Sequence, residues 1–126
     1  MSVYSIVIVD DDVAFGRLIK RVLAGMGHNV EQISNPHEIR HHYDNLTPDV
    51  IFLDIFMPEW DGIDVAKWLI EKRFNGKLVF MTGRDPTFLA AARAAVLRGG
   101  AHVVTLEKPA RVEQIRDLLN EQGEAS

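Results

Sequence analysis

The chain contains no cysteine, which removes disulfides, thiolate nucleophiles and cysteine-ligated zinc from consideration. It also lacks a strong excess of either charge. Fourteen basic against 18 acidic residues leave a formal net charge of -4 at pH 7, which argues against nucleic-acid binding by this chain itself. No apolar run approaches the roughly 20 residues needed to span a bilayer. A strand-length apolar run begins almost at Met1, so no cleavable leader is visible and a cytoplasmic location is expected. Repeats and low-complexity tracts are missing too. With 126 residues, 47% of them hydrophobic, the chain supports one core. One domain is expected over residues 1–121, with residues 122–126 as a tail or the start of a linker.

What is present is an alternation of two periods. Ile6–Val9, Val50–Leu53, Leu78–Met81 and Val103–Leu106 are nearly continuous apolar runs of strand length, the pattern of strands covered on both faces. Asn29–Ile33 alternates instead, which places it at a sheet edge. Between the runs, Phe15, Leu18, Ile19, Val22, Leu23 and Met26 recur at helical spacing and Gly27 stops the helix. "NPHE" at Asn35–Glu38 reads as an N-cap, a proline at the first helical position and a glutamate set for a capping box. Further helices are expected around Ile63–Ile70, over Phe88–Leu97 before Gly99-Gly100, and around Val112–Leu119. Alternating strands and helices of this size predict an α/β fold, an open, doubly wound, five-stranded parallel sheet. Ligands are then expected at the carboxyl ends of the strands.

The residues standing at those ends carry the chemistry. Asp10, Asp11 and Asp12 follow the first run, Asp54 the third strand, Thr82 the fourth, and Lys108-Pro109 the fifth; Ser34-Asn35 after the second is a helix cap. Crowded carboxylates repel one another unless something positive lies between them. Carboxylate oxygens in this number suit hard Mg2+. A carboxylate beside such a cation can attack phosphorus to give an aspartyl phosphate. The hydroxyl and the ammonium are then suited to the phosphoryl oxygens. The third carboxylate of the trio, Asp12, is better used as the cap of the first helix.

"VDDD", "PDVIFLDIFMPEWDG", "VFMTG" and "LEKP", in that order between about Ser5 and Leu119, resemble the receiver domain of two-component response regulators. The resemblance implies a flavodoxin-like (βα)5 sheet with strand order 2-1-3-4-5. It also implies that Asp54 accepts a phosphoryl group from a sensor histidine kinase or a histidine phosphotransfer protein. Mg2+ would be held by Asp11, Asp54 and the backbone carbonyl of Phe56, with Asp10 acting mainly through water. Thr82 and Lys108 would bind the phosphoryl oxygens, the Lys108–Pro109 bond would be cis, and Gly62 would permit the turn after the active loop. The domain would act as a switch rather than as an enzyme with metabolite turnover. No nucleic acid or membrane is implied as a partner of the domain itself, and apolar area on the last two helices suggests a homodimer surface.

Two departures stand out. Thr105 occupies the position three before the lysine where receivers commonly carry Tyr or Phe, and "RGGAHVVTLEKP" is about one residue longer than the common form. Together with "TGRDP" and "TLEKP", these features resemble receivers joined to EAL-domain cyclic-di-GMP phosphodiesterases.

Rival readings exist. "DDDV" is similar to the signature of haloacid-dehalogenase-type phosphatases, with Asp10 as nucleophile and Asp12 as general acid, a reading that leaves Asp54 without a role. A degenerate receiver acting only as a binding module is the other. His37 and His41 have a spacing compatible with zinc, but no third ligand stands nearby except His42, and a solvated helix face fits them better. Ile55, Phe56 and Met57 read as packing, Trp68 as core rim, and Trp60 as a reporter close to the acidic loop.

Overall fold

The computed structural model describes residues 3–57, 60–83, 90, 94 and 102–124. Branched apolar side chains suit a pleated surface, and here they build five parallel strands: β1 (Ser5–Val9), β2 (Asn29–Ile33), β3 (Val50–Asp54), β4 (Lys77–Thr82) and β5 (His102–Glu107). Their order is β2-β1-β3-β4-β5, as expected. Four helices accompany them among the described residues: α1 (Val13–Gly25), α2 (Ile39–Leu46), α3 (Gly62–Glu71) and α4 (Val112–Glu124). None is long and apolar enough to cross a membrane.

Alternate residues of each central strand feed different layers. Val7, Val9, Ile51, Leu53, Leu78 and Phe80 join Ile39 of α2 and Val65 and Leu69 of α3. Ile6, Ile8, Phe52, Val79 and Met81 join Ile19 and Leu23 of α1 and Ile115, Leu118 and Leu119 of α4. Burying each such side chain is worth about 1.5–3 kcal/mol. The register sets Val9 beside Leu53 and Asp54 beside Met81. The residues that follow Val9 and end β3 therefore emerge side by side.

Several expectations needed adjustment. β2 is an edge strand with alternating burial, as read, but β5 forms the other edge and is mostly half-buried instead of covered on both faces. In α1 the buried line runs Gly16–Ile19–Leu23, and Leu18 falls off it, 39% exposed. Val112 likewise begins α4 exposed. Asn35 caps Pro36–Glu38 by accepting from the His37 amide, but that segment is a 3-10 turn and α2 begins at Ile39. A proline at the first position tolerates such a tight turn, since it has no amide to leave unsatisfied. The helix expected over Phe88–Leu97 lies, apart from helical Ala90 and Ala94, outside the described residues.

Candidate functional site

Backbone ladders run past the strand ends and hold the functional residues in place. The Asp10 amide donates to the Ile33 carbonyl at 3.1 Å, the Ile55 amide to Met81 at 3.1 Å and the Lys108 amide to Thr82 at 2.8 Å. The Lys108–Pro109 peptide is cis, as the resemblance implied. Asp12 caps α1 by accepting from the Phe15 amide at 3.1 Å, so it turns to the helix and away from its neighbours.

Asp10, Asp11 and Asp54 each present a carboxylate oxygen, all within 4.8 Å of one another; among the described residues no other trio of ligand-type side chains meets so closely. Asp10 is fully buried and Asp54 nearly so, while Asp11 is exposed. The Lys108 ammonium lies 2.8 Å from Asp10 Oδ2 and 3.4 Å from Asp54 Oδ2. Thr82 Oγ1 is buried and has no partner among the described residues. Asp54 Oδ1 accepts from the Phe56 amide at 3.3 Å, and Asp10 Oδ1 from the Asp12 amide at 2.9 Å.

Burial, and then repulsion from Asp10, push the Asp54 carboxyl up to about 7, against the opposing pull of Lys108 and the Phe56 amide. Burial works against the Lys108 ammonium, but its contacts with Asp10 and Asp54 outweigh that and raise its pKa. Among the described residues one cation stands against three carboxylates, which leaves a residual negative charge. Two of those carboxylates are buried, so the donor set fits a hard divalent ion. Gly62 has a concrete role here. Its amide donates to the Ile55 carbonyl at 2.9 Å, and a Cβ would stand 2.4 Å from the Asp54 carbonyl oxygen, so no other residue lets α3 start this close to β3.

Ile55 and Met57 are buried as read, but the Phe56 ring is 47% exposed and does not join the core. Thr105 lies beside Phe80 on β5, half-buried. Trp68 sits at the core rim. His41 and His42 are exposed, whereas His37 is half-buried and stacks on Trp60 at 5.4 Å. Two neighbours went unnoticed in the sequence. The Phe15 ring lies 4.7 Å under the Lys108 ammonium, and Arg40 lies 4.0 Å from the Trp60 ring. Both are long-range pairings, and no local spacing signals them.

The family model described as the response regulator receiver domain matches residues 6–120. The chain belongs to that family: it is a receiver domain of two-component response regulators. It is 34% identical over 118 residues to the positive alginate biosynthesis regulatory protein of Pseudomonas aeruginosa, covering 91% of this chain and 45% of that one. It is 35% identical over 92 residues to the chemotaxis protein CheY of Thermotoga maritima, covering 70% and 77%. The CheY-like receiver domain structure from Methanospirillum hungatei superposes with a TM-score of 0.78 at 26% identity, covering 99% of this chain and all of that one. The chain spans between 31% and 46% of the length of the regulators TrcR, MprA and the alginate regulator. Receiver domains are signalling phosphoacceptors, bind Mg2+ at an acidic pocket and interact with histidine kinases.

Proposed function

We propose that this receiver accepts a phosphoryl group on Asp54. The observation that carries this reading is the convergence of Asp10, Asp11, Asp54 and Lys108 beside a buried hydroxyl, Thr82, that has no partner among the described residues. An Asp54 oxygen attacks the phosphorus of a phosphohistidine on a kinase or phosphotransfer protein. The P–N bond breaks as the P–O bond forms, and the imidazole takes up a proton. Lys108 and Thr82 bind the phosphoryl oxygens as charge develops on them. Asp11, Asp54 and the Phe56 carbonyl would hold Mg2+, with Asp10 acting mainly through water. When bound, the ion neutralises the crowded carboxylates and the incoming phosphoryl charge. Water later removes the phosphoryl group and resets the switch. The domain takes part in its own phosphorylation and dephosphorylation without turning over a metabolite.

Residues 1–121 form the working unit in this reading, in the cytoplasm, with residues 122–126 as a tail or the start of a linker. The output in this reading is either an attached domain or a downstream protein. Relatives named as transcriptional regulatory proteins, TrcR and PhoP, favour a DNA-binding output over an EAL phosphodiesterase. A dehalogenase-type phosphatase would need Asp10 as its nucleophile. That carboxylate is fully buried against Lys108, and the reading leaves Asp54 unused.

Incubation with acetyl phosphate and Mg2+ tests the proposal. Intact mass is expected to show one added phosphoryl group, lost with EDTA and lost in Asp54→Asn. Modification that survives in Asp54→Asn but vanishes in Asp10→Asn would transfer the role to Asp10.

A further inference from the structure

We propose that Trp60 is a positioning residue for the metal-binding loop, gripped by His37 and Arg40 from the neighbouring segment. The inference rests on the reading above, in which the Phe56 carbonyl is a ligand. The loop between Asp54 and α3 is sunk into the core at Ile55 and Met57, 1% and 7% exposed. At its far end Asp61 caps α3, accepting from the Ile63 and Asp64 amides at 3.0 Å each. Trp60 immediately precedes that cap.

Its ring does more than fill space before a helix. It lies nearly parallel to the His37 imidazole, 5.4 Å between centroids and 10° between planes, and the Arg40 guanidinium carbon sits 4.0 Å from its centroid. The edge of Trp68 meets it at 6.2 Å and 72°. His37 and Arg40 belong to the turn and helix that follow β2, and Trp60 to the loop that follows β3. A cation over an indole face and a parallel ring stack are both orientation-dependent contacts. The grip therefore ties Trp60 to α2, and two residues further on the Gly62 amide holds the Ile55 carbonyl at 2.9 Å, directly before Phe56. Ordinary staple packing before α3 would need only an apolar side chain at residue 60. It gives no reason for a guanidinium and an imidazole to converge on the ring.

Mg2+ titration by calorimetry, which needs no tryptophan signal, separates the two roles. Trp60→Leu is expected to weaken Mg2+ binding about three- to tenfold, and Arg40→Ala about threefold. Trp60→Phe, which keeps a ring face, should recover most of the affinity. Arg40→Ala placed on Trp60→Leu should add nothing further, because the two losses share one contact. Variants that melt lower in EDTA yet bind Mg2+ like the wild type would overturn the proposal and leave Trp60 as packing. If Trp60→Leu does not fold, Arg40→Ala and His37→Ala carry the same test. A wild-type chain that binds no Mg2+ would instead bring down the metal reading itself, a result distinct from normal wild-type binding with equally tight variants.

Discussion

The two rims of the sheet treat polar groups in opposite ways. At the amino-terminal rim four described polar groups are each answered by a neighbour. The Ser5 amide donates to Asp49 Oδ2 at 2.8 Å, Ser5 Oγ to the Leu46 carbonyl at 2.9 Å, the Lys77 amide to the Asp49 carbonyl at 3.0 Å, and the fully buried Lys77 ammonium to the Leu118 carbonyl of α4. At the carboxyl-terminal rim the Lys108 ammonium faces the carboxylates of both Asp10 and Asp54, and the buried Thr82 hydroxyl has no partner among the described residues. Saturated polar groups stabilise; unsaturated ones cost stability and keep affinity in reserve for something absent. One rim holds the fold together, and the other is left open for ligand chemistry.

The sharpest way to break this contrast is Lys77→Ala. Removing a fully buried side chain that reaches from β4 to α4 should lower stability by about 2–4 kcal/mol, read by denaturant unfolding in EDTA. Mg2+ affinity of the folded variant should stay as in the wild type, and a parallel loss of affinity would show that the rims are not separate. Asp54→Asn should do the reverse at the other rim. It removes one charge from the cluster and should raise metal-free stability by about 1 kcal/mol. A clear loss of stability in EDTA would contradict the picture of unrelieved repulsion.

A third effect is the pH slope. The Asp54 carboxyl stands at about 7 in the folded chain against 3.8 for the ordinary group. The folded state therefore holds the proton more tightly, and the slope of stability with pH is negative across that window. The stabilising contribution is complete below 3.8 and is lost as pH rises through about 7. Metal-free wild type should thus lose stability relative to Asp54→Asn on raising the pH from about 5 to about 8. A flat difference between the two proteins would remove the coupling of Asp54 to its neighbours.

Much of this was legible from spacing alone. Ile6–Val9 and Val50–Leu53 announced buried parallel strands because nothing in them tolerates water, and Asp10, Asp11, Asp54, Thr82 and Lys108 could be placed because each follows such a run. Asp12 as a cap followed from the preference of the helix start. Boundaries were less legible. Lys77 stands just before the run Leu78–Met81, yet it belongs to β4 and is buried, with α4 supplying a carbonyl for its ammonium, a fact held in residue 118 and not in residues near 77. Leu18 and Phe56 are apolar and exposed, and a one-dimensional stripe cannot see how far around the helix, or out of the loop, a side chain has turned. The Phe15–Lys108 and Trp60–Arg40 contacts depend on how distant segments meet, so neither could be read from local pattern.

The register that sets Val9 beside Leu53 has a consequence for the life of the chain. The carboxylates that meet at this crevice are contributed by strands that touch in space while α1, β2 and α2 intervene between them along the backbone. A chain emerging from the ribosome has half a coordination sphere until β3 has docked, and an unfolded chain has none. In the proposed reading magnesium would report completed topology: an ion has nothing to grasp until the sheet has closed in the right order, and its binding would weigh the equilibrium toward that arrangement.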